Sequence, residues 1–205
     1  MNQIARHLYR DELKLILSHL DDRWVRAANK EISLLLERLI ETSLNRLIKH
    51  VLAWLPTLAG EVNLSDFIRR QISKREVYLP RLNADGALSF FLIDRDSVAA
   101  QETSRGTSRF GTLNVPFDTH CAEETAILVP ALAFDRRGIR ISRGYAHYQK
   151  LFNDPRMRRC CSIGVVWSIQ SVSEIPGAGS DVAVEWVCTE KEWFFTGVAA
   201  KVFEQ

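Results

Sequence analysis

The chain has 205 residues, enough for one domain with a sizeable core, and 46% hydrophobic and 25% charged residues, as in an ordinary globular protein. Its 27 basic and 25 acidic side chains give a formal net charge of +2, which gives no general reason to expect nucleic acid or an anionic membrane as a partner. No apolar run approaches the roughly 20 residues needed to span a bilayer, and the first residues, MNQIARHLYRDELK, lack the apolar core of a signal peptide. We therefore expect a cytoplasmic protein with reduced cysteines.

The first part of the chain is predicted to be helical. Residues 2–20 carry apolar side chains at helical spacing, and Asp21 and Asp22 end that stripe and can cap a second helix. The second helix extends to about residue 46, with a break expected near Thr42 and Ser43. A short third helix is expected over 65–74.

Most of the remaining chain favours strands. The apolar runs that predict them are 50–56, 76–82, 87–93, 126–134, 162–168 and 182–189. Residues 94–120 are polar and irregular and predict a long loop, a helix is expected over about 145–153, and residues 192–205 fit either a strand or a short helix.

Because helices alternate with buried strands, the sequence predicts one three-layer α/β/α domain over 1–205, Rossmann-like, with a mostly parallel sheet and a helical N-terminus. In such sheets ligands bind at the carboxyl ends of the strands.

The segment from Asp135 to Tyr148, called the arginine loop below, follows the most apolar strand. Arg140 and Arg143 offer planar charged groups that match phosphate oxygens, and Gly144 permits a close approach of the backbone to a ligand. The helix that follows adds the positive end of its dipole. The loop is therefore either a phosphate site or a solvated basic turn.

Three further features are individually ambiguous. Arg6 and Arg10 share one helix face and could clamp a polyphosphate or be a solvated face. Glu61, after a predicted strand, could bind the edge of a heterocycle or be an ordinary loop residue. Asp181 could ligate Mg²⁺ beside a nucleotide or simply form a turn.

These features occur in an order that resembles the 5-formyltetrahydrofolate cyclo-ligase (methenyltetrahydrofolate synthetase) family. The segments that carry the resemblance are Arg6-x-x-x-Arg10, Trp54 to Glu61, Tyr78-Leu79-Pro80, Pro130 to Gly138, Arg140 to Gln149, Trp167 to Gln170, Pro176 to Asp181 and Val184-Glu185. No segment is specific by itself, but the set covers nearly the whole chain in a consistent order.

The resemblance implies ATP- and Mg²⁺-dependent conversion of 5-formyltetrahydrofolate to 5,10-methenyltetrahydrofolate by a protein that we expect to be monomeric. It implies Arg140 and Tyr148 as catalytic residues and Asp181 and Gln149 as metal ligands. It implies folate binding by Glu61, Trp54, Arg143 and His147. It implies ATP binding by Arg6, Arg10, Arg140, Ile141, Ser142, Arg143, Gly144, Tyr145, Ala146, His147 and Tyr148.

The arginine loop departs from the family pattern. Ser142 and Ala146 stand where the family has glycine, His147 replaces a tyrosine, and Gln149 replaces a metal-binding aspartate. These changes leave two alternatives to an active cyclo-ligase open: a weakened or inactive relative that binds a nucleotide or folate in a regulatory or interaction role, and an enzyme acting on another phosphorylated small molecule.

Overall fold

The residues that the structure describes form an eight-stranded mixed sheet with helices on both faces. The computed structural model describes residues 3–94, 110–143, 147–175 and 183–198, with only the backbone described for residues 3–8. The α-helices are α1 Gln3–Ser18, α2 Asp22–Arg38, α3 Ser65–Gln71 and α4 His147–Phe152. The strands are β1 His50–Leu52, β2 Glu76–Leu82, β3 Leu88–Ile93, β4 Thr112–Pro116, β5 Thr125–Pro130, β6 Ala133–Asp135, β7 Arg140–Ile141, β8 Cys161–Val165, β9 Ser171–Val172, β10 Trp186–Cys188 and β11 Trp193–Phe195.

The central five strands are parallel, as the sequence predicted. The order across the sheet is β11-β10-β8-β5-β1-β2-β3-β4, and only the pairs that involve β11, β3 and β4 are antiparallel. Successive parallel strands are added on one side of β1 and then on the other, so the direction of winding reverses between β1 and β5. In open α/β sheets this topological switch point is where ligands bind, beyond the carboxyl ends of the strands.

Alternate side chains of the central strands support the two faces. In β5, Ala126 and Leu128 pack in the cluster beneath α1, α2 and α3, whereas Ile127 and Val129 pack in the cluster that includes Tyr148 and Phe152 of α4. This period of two, with both sets buried, explains why the segment reads as a continuous apolar run. The predicted three-layer arrangement is confirmed.

Helix α2 begins with a capped first turn and ends in an irregular one. The carboxylate of Asp21 accepts hydrogen bonds from the backbone N–H groups of Arg23 and Trp24, at 2.9 Å each. The helix then passes into a wider π-type turn, Leu39–Ser43, which ends at the break predicted near Thr42 and Ser43.

Several predicted boundaries are wrong. The run 126–134 is two strands, because the chain leaves the main sheet after Pro130 and β6 joins β7 and β9 in a separate three-stranded sheet. The predicted loop 94–120 contains β4 and the start of a 3₁₀-helix, Thr119–Glu124, although 95–109 lie outside the described residues. Of residues 192–205, the described part up to 198 contains a strand, β11, and 199–205 lie outside the described residues.

The fold-back of β6 depends on a buried carboxylate. Asp135 is fully buried at the end of β6, where one carboxylate oxygen accepts from the N–H groups of Arg137 and Ile139. The other oxygen accepts from the N–H of Ile175 and pairs with the Arg137 guanidinium, which is 2.8 Å away. Asp135 therefore orders the turn that starts the arginine loop and directs β7 back towards the carboxyl ends of the strands.

Candidate functional site

A buried ion pair lies at the switch point of the sheet. Glu61 follows β1 and Arg143 follows β7, and the side chain of Arg143 forms a salt bridge with that of Glu61. The Glu61 side chain is 5% exposed and that of Arg143 is 20% exposed. The structure thus joins two predicted site residues that are far apart in the sequence.

Thr57 connects both members of this pair. Its backbone N–H donates to Glu61 Oε2 at 2.8 Å, and the N–H of Leu58 donates to the same oxygen at 3.1 Å. The hydroxyl of Thr57 accepts a 2.7 Å hydrogen bond from Arg143 Nη1. Sequence reasoning missed Thr57, since a lone threonine in a turn carries no signal of this contact.

Arg143 has remaining capacity to bind a ligand. Within the part of the chain that the structure describes, its buried Nε has no hydrogen-bond acceptor. Burial lowers the pKa of its guanidinium and the nearby Tyr148 raises it, and the group stays charged at neutral pH because an arginine pKa starts so high. An ionised donor without an acceptor in a buried position is suited to binding an anionic oxygen.

Trp54 provides a second donor of this kind beside the end of β1. The residue is 5% exposed, and its indole Nε1 has no acceptor among the described residues. A buried indole N–H normally has a hydrogen-bond partner. This is the position that the sequence predicted to contact the folate.

Gly60 fixes the loop that precedes Glu61. Its φ of 73° lies in the left-handed region, and a Cβ there would be 2.0 Å from the carbonyl oxygen of Leu17 in α1. The Gly60 carbonyl also accepts a 2.6 Å hydrogen bond from the indole N–H of Trp167. Contacts from α1 and from the segment after β8 therefore hold the Glu61 loop in place.

The N-terminal helix also reaches the arginine loop. The Nε of Arg10 donates to the carbonyl oxygen of Ser142 at 3.1 Å. The structure thereby places one of the two predicted N-terminal cations at the predicted phosphate loop. The side chain of Arg6 lies outside the described residues.

Arg140 of β7 and Tyr148 of α4 lie close together. Both are buried, and the Arg140 guanidinium carbon is 5.6 Å from the centre of the Tyr148 ring, within the range of a cation–π contact. Burial raises the pKa of the Tyr148 phenol, while Arg140 and Arg143 lower it, and the net shift is upward. Tyr148 is therefore a hydrogen-bond donor at all ordinary pH values.

Ile141 pairs with Ala133 of β6 and is buried, so its side chain belongs to the core.

The ring of His147 lies beside the turn that joins β2 to β3. Its Nδ1 lies 2.9 Å from the carbonyl oxygen of Gly86, in the turn between β2 and β3, so this nitrogen carries the proton and donates. Gln149 is half-buried two residues later in α4. Gly144, Tyr145, Ala146 and Asp181 lie outside the described residues.

The described residues contain no cluster of three or more His, Cys, Asp or Glu side chains that could hold a metal ion. Gln149 offers an amide oxygen, which is a ligand type that Mg²⁺ accepts. No helix in the described ranges has the length and apolar character needed to cross a membrane.

A cavity of about 270 Å³ lies between β3 and the segment around α4. Its lining includes Phe90, Phe117 and Lys150, and none of the predicted site residues whose side chains the structure describes contributes to it.

Comparison with known proteins identifies the family. The sequence model of the 5-formyltetrahydrofolate cyclo-ligase family matches residues 2–190. The 5,10-methenyltetrahydrofolate synthetase of Aquifex aeolicus, solved by NMR, is 19% identical, with a TM-score of 0.71 over 98% of this chain and 96% of that one. The 5,10-methenyltetrahydrofolate synthetase of Mycoplasma pneumoniae is 16% identical, with a TM-score of 0.65 over 93% of this chain and 99% of that one. No curated protein sequence matches significantly. Since the family model covers most of the chain, this protein belongs to the 5-formyltetrahydrofolate cyclo-ligase family.

Proposed function

We propose that the protein converts 5-formyltetrahydrofolate to 5,10-methenyltetrahydrofolate, using ATP and Mg²⁺. The observation that carries this proposal is the Glu61–Arg143 pair at the switch point. It brings a carboxylate able to bind a heterocycle next to a cation able to bind phosphate, as a reaction between a folate and ATP requires.

The reaction that the resemblance implies has two steps. The formyl oxygen attacks the γ-phosphate of ATP, which releases ADP and leaves an imidate phosphate. Nitrogen N10 then attacks the activated carbon and loses its proton, and inorganic phosphate departs to leave the methenyl bridge. Both steps depend mainly on positioning and on stabilisation of phosphate charge.

Arginines supply that stabilisation in our proposal. Arg10, Arg140 and Arg143 are contributed by α1, by β7 and by the residues after β7, and Arg10 is tied to the loop through Ser142. Guanidinium groups match the geometry of phosphate oxygens and stay ionised when buried. The Tyr148 hydroxyl, kept protonated by burial, would act as a neutral donor beside them. Arg6, Ile141, Ser142, Gly144, Tyr145, Ala146 and His147 complete the proposed ATP site.

Glu61 would orient the folate by accepting hydrogen bonds from the ring system, with Trp54, Arg143 and His147 alongside it. The buried indole N–H of Trp54, which has no acceptor among the described residues, would donate to a folate oxygen. Asp181 and Gln149 are the proposed protein ligands of Mg²⁺. When bound, this ion supplies charge neutralisation on the phosphates, and one or two protein oxygens suffice because it keeps waters and phosphate oxygens.

The test is direct. Purified protein is incubated with 5-formyltetrahydrofolate, ATP and Mg²⁺, and formation of the methenyl product is followed by its absorbance. We expect turnover that requires all three components and that falls by at least about a hundredfold in Arg140→Gln, since an electrostatic contact to the transition state is lost. Absence of turnover at high concentration of a demonstrably folded sample would reject this activity and favour the non-catalytic alternative.

A further inference from the structure

Glu61 is nearly saturated with hydrogen bonds before any ligand arrives. Its Oε2 accepts two backbone N–H groups, from Thr57 and Leu58, and its Oε1 is engaged by Arg143. A carboxylate has about four acceptor positions, so only about one is left for a folate donor. A folate that binds Glu61 strongly must therefore compete with Arg143.

The guanidinium of Arg143 is likewise engaged by protein groups that a ligand would have to replace. Two of its nitrogens are engaged, Nη1 by Thr57 and Nη2 by Glu61. A largely buried guanidinium needs an anionic partner, and in the absence of phosphate that partner is Glu61. Its buried Nε has no acceptor among the described residues, so within that part of the chain this arrangement leaves one donor unused.

We infer that Arg143 exchanges Glu61 for nucleotide phosphate, and that this exchange couples the nucleotide and folate sites so that each ligand strengthens the binding of the other. The inference rests on the proposed function. Once Arg143 turns to phosphate, Glu61 is left as a buried carboxylate without its counterion, and N–H donors of the folate restore its hydrogen bonds. By linkage, folate bound to Glu61 releases Arg143 for the nucleotide to the same extent.

Thr57 is the positioning residue of this exchange. Its amide holds Glu61 and its hydroxyl holds Arg143, so a single residue fixes the separation of the pair. In Thr57→Val the amide remains but the acceptor for Arg143 is lost, which should favour the nucleotide-bound orientation. Thr57→Ser keeps both contacts and is the matched control.

The first measurement uses the wild-type protein. The Kd of 5-formyltetrahydrofolate is determined by calorimetry with and without a saturating non-hydrolysable ATP analogue and Mg²⁺. We expect the analogue to tighten folate binding by a factor of about 5 to 150, the usual range of such coupling. Equal Kd values would overturn the inference, because Arg143 would then be binding phosphate without leaving Glu61.

The second measurement uses Glu61→Gln, which keeps an acceptor for Thr57 and Leu58 but removes the charge that holds Arg143. We expect the Mg²⁺-bound analogue alone to bind this variant at least about fivefold more tightly than the wild type. Glu123→Gln is the control, since Glu123 is an exposed carboxylate near the start of β5, and removing its charge tests for a general electrostatic effect. Unchanged or weaker binding in a folded Glu61→Gln, or an equal gain in Glu123→Gln, would contradict the exchange.

Thr57→Val should show a smaller gain in analogue affinity than Glu61→Gln, and Thr57→Ser should show none. A purely structural role of Thr57 would instead lower the melting temperature without raising nucleotide affinity. Failure of this inference is distinguishable from failure of the proposed function. Wild-type protein that binds neither ligand rejects both, whereas turnover combined with independent binding rejects the coupling alone.

Discussion

Single atoms decide much of the geometry of the site, and Gly60 is the clearest case. Its backbone lies against the Leu17 carbonyl, in a conformation that other residues adopt at a cost, and its own carbonyl accepts from Trp167. The residue that follows is Glu61. Strain at Gly60 would therefore be transmitted directly to the carboxylate of the buried ion pair.

Gly60→Ala should destabilise the protein by about 3 kcal/mol, because it combines an unfavourable positive φ with a clash against backbone. The free energy of unfolding from urea titration checks this value. This clash would displace the loop that carries Glu61, so the KM for folate should rise in the variant. Gly86→Ala is a useful comparison, since its φ is also positive at 77° but the nearest atom to a Cβ, Lys150 Nζ at 3.6 Å, leaves room. An equal loss in both variants would show that the Leu17 contact is unimportant.

Gln149→Asp tests the proposed metal ligand at the same scale. A carboxylate binds Mg²⁺ more strongly than a neutral amide, so the variant should reach half-maximal activity at a lower Mg²⁺ concentration. Titration of activity with Mg²⁺ at fixed ATP measures the shift, and Gln149→Ala should move it the other way. Identical Mg²⁺ titrations for the wild type, Gln149→Asp and Gln149→Ala would show that Gln149 is not a metal ligand.

At the scale of elements, an ion pair links the loop before β1 to the start of β10. Glu185, directly before β10, has its carboxylate 3.2 Å from the Arg46 guanidinium, and its N–H donates to the Ser162 hydroxyl at 3.0 Å. The Glu185 side chain is 7% exposed. This pair lies at the amino ends of β1 and β10, and neither member is a predicted site residue, which makes a structural role the simplest reading.

Arg46→Gln should therefore cost about 2 kcal/mol of stability near neutral pH, because it leaves a buried carboxylate without its cation. Burial raises the pKa of Glu185 and Arg46 opposes that shift, so the pKa should rise further in the variant. A folded-state pKa above the unfolded value means that stability falls as pH rises through it. The deficit should thus disappear below about pH 4.5, the ordinary value for a glutamate. Unfolding titrations of the wild type and the variant, from neutral pH to below pH 4.5, measure the difference in stability. Adding Glu185→Gln to Arg46→Gln should restore most of the stability lost at neutral pH.

Some elements were easier to predict from the sequence than others, because the pattern of apolar residues carries only part of the information that determines the fold. Apolar periodicity identifies buried strands such as β5, but it does not say which sheet a strand joins. For that reason the run 126–134 looked like one strand, although Phe134 packs its ring across Gly164 of β8, where a Cβ would be 2.6 Å from the ring. Antiparallel β4 was missed because two of its five residues, Asn114 and Pro116, are not typical of strands.

At the scale of the whole molecule, the family was predictable from the order of motifs and the mostly parallel sheet from the alternation of helices and buried strands. The family model and the sheet confirm both. The grouping of Glu61 with Arg143 was not predictable from spacing, since it depends on two loops that meet only when β1 and β5 are adjacent. Thr57 contributes through a backbone N–H and a hydroxyl in a turn, and such contacts leave no pattern in a single sequence.

The adjacency of β1 and β5 also constrains how the protein is made. His50 pairs with Glu76 on one side and with Thr125 on the other, so β2 is available to β1 early in synthesis and β5 only much later. Until then one edge of an apolar strand is uncovered, and such edges recruit other chains. The same long sequence separation favours slow folding. The strand pairing that brings the two loops together is thus also the step at which a growing chain is most exposed to aggregation.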